Sequence, residues 1–525
     1  MDCPESLPGR LDDSRRRALL ALLLLTFLFC GVMLLPYPGV QEDEILFGPP
    51  LHTPSAAAHH WKIFGRHIPI LVMPYVGALK TWLFAPIFAI LGVSVWTVRL
   101  PALLIGAGSV LLNYHVLRRA AGDRAALLAT ALLATDPMLI MTTCFDWGPV
   151  AIQQFLQAGG LLLLVRFSRS ASRADLAGCC FLLGLAVWNK GIFLWSAAGL
   201  GFAVAAVFGR EARKYVSWRN GAAALAGFSL GSFPFLHFNA TSGFASFAGN
   251  SGFDLGLLIP KIDILRATMD GSGLFGYMIA EPETGPHRTA QWALVLMAAA
   301  AAPVLAWRRI SRLPLFCAAA MLPAWVLMAA NPGAGGTVHH VILLWPFPQF
   351  LIAGAAVHIS ERLSRGRGPV LMLFGILFVL SNLLVLNAYR TQFARSGAEG
   401  PWTDATLALP AALRDYGDPV ILTDWGLHNW LVMRNGAVDG ILIGYDILRT
   451  EPGPDADDRF RRLLESPQAT FVGFVEGKEV FAGTRLRLEA MAASNGYRKE
   501  VLRVIPDTHG RPAIELFRLL PAPGE

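Results

Sequence analysis

Glu42, Asp43 and Glu44 come within a few positions of the first long apolar run, roughly residues 18–37. Carboxylates so close to a membrane face are costly to place and are kept more often for chemistry than for packing. Outside the membrane, such a group accepts a proton from an attacking hydroxyl or amine, a general-base contribution of roughly a hundred- to ten-thousandfold. Asp146, in Cys144-Phe145-Asp146-Trp147-Gly148-Pro149, is a second acid, although its place before Pro149 also suits the cap of a following helix. Lys190, in Trp188-Asn189-Lys190-Gly191, is the only Lys between Lys80 and Lys214. It is placed either to meet a lipid phosphate as a point charge or to reach the outer headgroups with no further duty. His339 and His340 follow Gly333-Ala334-Gly335-Gly336 and suit a phosphate or substrate contact, a metal or a plain interface. Neighbouring side chains diverge on a helix, so chelation of one metal by both is disfavoured. His52, His59, His60 and His67 have no spacing to a partner, and Asn239-Ala240-Thr241 matches the glycosylation sequon in a pattern common by chance.

The elements that must position these groups are membrane spans. Of 525 residues, 54% are hydrophobic and only 15% charged, with a mean hydropathy of +0.48; a soluble chain carries nearer a quarter charged residues. The net charge of +7 comes in short Lys/Arg clusters between apolar runs, which points to anchoring at a membrane surface and not to nucleic acid. Six cysteines with no legible framework give no disulfide or metal pattern. Arg15-Arg16-Arg17 precedes the first run, no small-x-small cleavage site follows it, and the segment is expected to be a retained helix with its N-terminus inside.

Taking about 20 apolar residues as a span, eleven candidates lie near 18–37, 97–117, 124–143, 148–166, 174–189, 191–209, 220–238, 289–307, 313–330, 339–358 and 369–388. The clusters at Arg118-Arg119, Arg166 to Arg173, Arg210 to Arg219, Arg308-Arg309 and Arg362 to Arg367 then share the side of Arg15 to Arg17, as the positive-inside rule asks. This requires that Tyr75 to Gly92, also apolar, not cross; with Lys80 and Pro86 inside it, it is expected to form helices along the outer interface within a long first loop, 38–96. An extra span is the alternative, and it would move every later cluster outside. With the first choice, the acidic tripeptide, Asp146, Lys190, the His339-His340 turn and the last 135 or so residues gather on one face.

The order of these features resembles the GT-C glycosyltransferases over about residues 10 to 390: the pair Asp43-Glu44 after the first helix, Arg99-Leu100-Pro101 opening the next span, its exit at Arg118-Arg119-Ala120-Ala121-Gly122, the outer Asp146, and Asn189-Lys190-Gly191. In pattern it is similar to the protein O-mannosyltransferase, lipid A aminoarabinose transferase and bacterial galacturonosyltransferase group. The resemblance implies inverting transfer of a sugar from a polyprenyl-phosphate donor to a lipid, glycan or protein acceptor on the outer face of the bacterial inner membrane. Asp43 is then expected as the base, with Glu44 beside it and Asp146 assisting the acceptor or positioning the first loop. Lys190, His339, His340 and Arg99 are expected at the substrate, Lys190 on the donor phosphate. Relatives commonly continue the pair with an aromatic or basic stretch, whereas Ile45-Leu46-Phe47-Gly48-Pro49-Pro50 follows here, and Asp43 belongs to either possible register. Oligosaccharyltransferases of this fold use a metal and paired acids; Asp146 has no acidic neighbour, so no metal and no cofactor are expected.

Three regions follow: a cytoplasmic N-terminus (1–17), a transmembrane domain (18–389) and a small outer α/β domain (390–525). In the last, Pro419 to Leu422 and Thr470 to Val475 predict strands, Asp458 is expected to cap a helix over Arg459 to Leu464, and Val501 to Ile505 with Ile514 to Phe517 predict a hairpin around His509-Gly510. Asp424-Trp425 with His428 is a possible sugar-contacting patch, or an ordinary strand end. A transporter or flippase for a lipid-linked saccharide is the rival function; it favours mid-membrane polar breaks and internal repeats, which the one-sided clustering does not suggest.

Overall fold

The computed structural model describes residues 12–53, 57–248, 252–280, 312–362, 367–417, 419–436, 439–451 and 453–522. The 289–307 run, Arg308-Arg309, Arg365 and Asp418 lie outside them.

Long apolar helices dominate, and polar residues punctuate them. Helix α1 is Asp13–Val32. After the first loop come α2 (Leu79–Leu91) and α3 (Val95–Ala121), the latter opened by a reciprocal Ser94/Thr97 capping box. Then follow α4 (Asp123–Thr135), α5 (Pro137–Cys144), α6 (Val150–Ser170), α7 (Arg173–Asn189), α8 (Phe193–Ala212) and α9 (Trp218–Thr241). Helices α10 (Leu258–Asp270), α11 (Phe275–Met278), α12 (Arg312–Ala329), α13 (Val338–Val341), α14 (Phe347–Arg362) and α15 (Arg367–Ser396) follow among the described residues. Small residues set the closest packing: a Cβ on Gly227 or Gly231 of α9 would stand 2.2 Å from a carbonyl oxygen of α7. Backbones approach this closely only where side chains are absent.

Among the described residues six helices are long and apolar enough to cross a membrane, or up to eight if each of two bent pairs is one span. The bent pairs fall on the expected spans at 124–143 and 339–358, each interrupted by a break. The first bends by 55° between α4 and α5, the second by 43° between Leu344 and Phe347. Pro137 supplies no N–H and disfavours helix in the residue before it; Asp136 turns extended and caps the new helix through the Leu139 N–H at 2.8 Å. The same carboxylate accepts from Trp345 Nε1 (2.9 Å) and Gln349 Nε2 (2.6 Å), so one buried acid ties both breaks together.

Ahead of the Tyr75 to Gly92 segment, the first loop forms a sheet that the sequence reading did not include. The sheet is three-stranded and antiparallel, β1 (His59–Ile63), β2 (Arg66–Met73) and β3 (Val76–Gly77), and follows the acidic turn and a short 3-10 turn at Pro49–Leu51. The β1–β2 turn is Phe64-Gly65, both with positive φ. Only α2 then remains of the apolar Tyr75 to Gly92 segment, and its 13 residues rise about 20 Å, short of a 30 Å hydrocarbon core.

The C-terminal region holds α16 (Ala405–Ala412), β4 (Val420–Leu422), α17 (His428–Asn435), β5 (Ile441–Ile443), α18 (Tyr445–Arg449), α19 (Pro454–Leu464), β6 (Thr470–Phe474), α20 (Thr484–Ser494), β7 (Tyr497–Pro506) and β8 (Pro512–Pro521). The sheet order is β5-β4-β6-β8-β7, with β4 parallel to β5 and β6, and β8 antiparallel to β6 and β7. Both expected strands and the hairpin are present. The helix starts earlier than expected, behind Gly453 with Pro454 in its first turn, so Asp458 is not its cap.

Candidate active site

The acidic tripeptide occupies a tight turn held by Gln41, whose Oε1 accepts from the N–H of Asp43 (2.7 Å) and of Glu44 (3.2 Å). Its three carboxylates have three different environments. Glu44 is fully buried and meets Arg99 in a fork, with Arg99 Nε to Oε1 at 2.6 Å and Nη2 to Oε2 at 2.9 Å. Arg99 also donates to the carbonyls of Leu35, Pro38 and Gly39 and lies 4.8 Å from the centre of the Phe145 ring. Every arm of that guanidinium is engaged, so Glu44, expected beside the base, and Arg99, expected at the substrate, tie the acidic turn and the Leu35 to Gly39 carbonyls to α3.

Glu42 turns the other way, into the C-terminal region. Its carboxylate accepts from the N–H of Asn429 (3.1 Å), while Asn429 Nδ2 donates to the Glu42 carbonyl (3.0 Å). Burial pushes the Glu42 carboxyl up to about 8, with the Asn429 N–H opposing and Asp43 reinforcing the shift.

Asp43 remains. Among the described residues its carboxylate carries no hydrogen bond and no ion pair, and the residue is half-buried. Burial raises it to about 6, against the pull of the Lys190 ammonium. Its charge is also felt by the phenols of Tyr75 and Tyr277, which burial and then Asp43 push upward.

Asp146 and Lys190 converge on the same turn. Asp146 lies before the Pro149 N-cap of α6 and accepts from the first-turn Ala151 N–H at 2.8 Å, and its Oδ2 stands 2.9 Å from Lys80 Nζ in a buried pair. Lys80 donates further to the carbonyls of Asp146 (2.9 Å) and Glu44 (3.3 Å), which laces α2, the acidic turn and the α5–α6 turn together. Lys190 is reached from the first loop, where Val76 bridges to it and Gly191 donates to the Tyr75 carbonyl. Its Nζ donates to the His339 carbonyl at 3.2 Å. Burial pulls this ammonium down to about 7, with Asp146 and Asp43 opposing.

His339 is oriented by Trp147, whose Nε1 donates to Nδ1 at 2.6 Å and leaves Nε2 as the donor of a neutral ring. Trp147 also packs edge-on against Trp402. The His340 ring lies 4.3 Å from that of His339, and among the described residues its Nδ1 is buried without a partner.

Asp43, Asp146, Lys190 and His339 thus belong to one connected cluster. Asp424 does not: it accepts from the N–H groups of Trp425, Val480 and Phe481 and shapes its own loop. Asn239 is buried in α9 and bonded to Ser246, so the sequon is internal. Sequence reasoning treated Lys80 only as an obstacle to crossing; a lone Lys among apolar residues was the available signal for its partnership with Asp146. Nothing local marked Asn429, Tyr75 or Tyr277, which reach the site through tertiary structure alone.

A family model described as dolichyl-phosphate-mannose-protein mannosyltransferase matches residues 74–231, which include Lys80, Arg99, Asp146 and Lys190. No curated protein matches the sequence. Among solved structures, ArnT from Cupriavidus metallidurans bound to undecaprenyl phosphate is similar at 14% identity and a TM-score of 0.60, over 96% of this chain and 98% of that one. The oligosaccharyltransferase AglB of Archaeoglobus fulgidus, in complex with an inhibitory peptide and a dolichol-phosphate, aligns at 13% identity and a TM-score of 0.50 over 97% and 75%. The arabinofuranosyltransferase AftD from Mycobacteria aligns at 15% identity and a TM-score of 0.55 over 98% of this chain but only 40% of the longer one. The chain is a multi-pass membrane protein with the fold of the GT-C glycosyltransferases.

Proposed function

We propose that this protein transfers a sugar from a polyprenyl-phosphate donor to a lipid, glycan or protein acceptor at the outer face of a bacterial inner membrane, with inversion and with Asp43 as general base. The observation that carries this reading is that, of the three clustered acids, only Asp43 has an unengaged carboxylate, and it is coupled to the buried cation Lys190. Two of the solved structures of similar fold hold undecaprenyl phosphate and dolichol-phosphate, which supports a lipid phosphate as the ligand of this cluster.

In the reaction, the acceptor oxygen or nitrogen attacks the anomeric carbon from the face opposite the phosphate while Asp43 takes its proton. The bond from that carbon to the phosphate oxygen breaks, and the polyprenyl phosphate leaves with the electron pair. One displacement inverts the centre. Lys190, with the Nε2–H of His339 and the neighbouring His340, stabilises the charge growing on the leaving phosphate. Asp146 acts through Lys80, fixing the acidic turn against α6; Glu44 and Arg99 hold the same turn from the other side.

The topology that goes with this has eleven spans. It counts the six long helices, the two bent pairs, α1, α7 and the 289–307 run, and it sets the acidic turn, Asp146, Lys190 and the C-terminal domain outside. The test is incubation of the purified protein with a panel of polyprenyl-phosphate sugars, following release of polyprenyl phosphate, beside mass spectrometry of envelope lipids and proteins with and without the chain. Donor-dependent release and a lost glycoform support the reading. A protein that moves lipid-linked sugar between leaflets without cleaving it contradicts it.

A further inference from the structure

We propose that the tip of the β1–β2 hairpin is a lipid anchor, placing Phe64 in the phospholipid layer beside α9 with Lys62 and Arg66 on anionic headgroup phosphates. Phe64 is fully exposed at 101% of its reference area and holds φ +49°, the left-handed region that favours glycine. A large aromatic kept there, with its surface left open by the described residues, has its contact elsewhere. Ile63 beside it is 38% exposed, and both flanking cations, Lys62 and Arg66, face solvent.

The level of this hairpin is fixed by its neighbours. The Trp61 ring, three residues before the tip, lies 5.9 Å from Phe233 and 5.5 Å from His237. These positions are two turns and one turn before the end of α9 at Thr241. Helix α9 rises about 36 Å, little more than a 30 Å hydrocarbon core, so its last turns stand at the interface or just inside it. Partly exposed Trp82 on α2 and Trp96 at the start of α3 lie at this same end of the bundle, while exposed Trp218 marks the opposite end of α9. Such rings collect at headgroup level. The apolar tip is therefore continuous with the lipid-facing surface of the bundle, and its two cations complement the phosphate layer. The anchor would hold the sheet that delivers Val76 to Lys190 at a fixed depth.

The test uses the full chain in nanodiscs of phosphatidylethanolamine and phosphatidylglycerol, with an environment-sensitive fluorescent amino acid at position 64 and, as reference, at the exposed Leu486 of the C-terminal domain. Position 64 is fully exposed among the described residues, and matching elution and thermal unfolding establish folding. Expected is quenching by acyl-chain spin-labelled lipid at least twofold stronger at 64 than at 486, reduced in Lys62→Gln/Arg66→Gln and in nanodiscs without phosphatidylglycerol. Equal quenching at both positions overturns the anchor, and quenching at 64 unchanged by the double substitution overturns the role of the cations.

Discussion

Glu44 and Arg99, 55 residues apart in the chain, meet through two charge-assisted hydrogen bonds in a site closed to solvent, while among the described residues the adjacent Asp43 keeps its carboxylate free. The pair is an anchor for the loop that presents Asp43. Removing one partner leaves a buried charge uncompensated, so Glu44→Ala is expected to lower stability by about 3–5 kcal/mol, seen as a lower unfolding midpoint in detergent. Arg99→Lys should behave similarly, because an ammonium cannot reproduce the fork or reach three carbonyls at once.

The pH dependence follows from the two groups facing one another. In the proposed reaction Asp43 works ionised, to take a proton, and burial sets it at about 6; Lys190 works charged, to meet phosphate, and burial sets it at about 7. Activity therefore falls as pH drops through the first value and falls again as pH rises through the second, giving a narrow bell in kcat/KM. Lys190→Arg keeps its charge at high pH and is expected to flatten the alkaline limb. A profile that still declines there in the variant would assign that limb to another group.

Gly148 stands at φ +76°, and a Cβ there would lie 2.7 Å from Lys190 Nζ and 3.1 Å from His339 Cδ2. Gly148→Ala should displace the cation without unfolding the bundle. Hydrogen bonds to charged groups carry about 1.5–3 kcal/mol, so KM for the lipid-linked donor is expected to rise on the order of tenfold or more. Steady-state kinetics over a donor series check this.

Glu42 makes the C-terminal domain part of the same loop. Its carboxyl is raised to about 8 in the folded protein from an ordinary value of 4.5. Between these values the folded state holds the extra proton, so the contribution of Glu42 is fully present below the lower value and is lost as pH rises through the upper one. Glu42→Gln cannot ionise, and its unfolding midpoint should decline less across that window than the parent's. Parallel declines would remove Glu42 from the account.

Much of the bundle was legible because span length is imposed by the bilayer, and most apolar runs within the described residues reappear as helices within a few residues. The β1–β2 hairpin was hidden because His59 to Met73 mixes histidines with apolar residues and lacks a two-residue Asn-Gly turn; Phe64 in a left-handed conformation is not a signal that composition carries. The breaks at Asp136-Pro137 and Trp345-Pro346 were written in the prolines, yet a tally of apolar residues passes over them. In the site, residue types identified Asp43, Asp146 and Lys190 as candidates, but their partners could not be read. Which of three consecutive acids is free depends on Arg99, Asn429 and Gln41, and only the fold brings the first two to the turn.

The central claim rests on Asp43, and its most direct test is Asp43→Asn, a near-isosteric change at a carboxylate with no internal partner to lose. The variant, purified in the membrane-inserted form with an unchanged unfolding midpoint, is assayed for sugar release from a polyprenyl-phosphate donor that the parent protein cleaves. The account predicts a loss of roughly a hundred- to ten-thousandfold in turnover, with donor binding retained. Turnover equal to the parent's would contradict it.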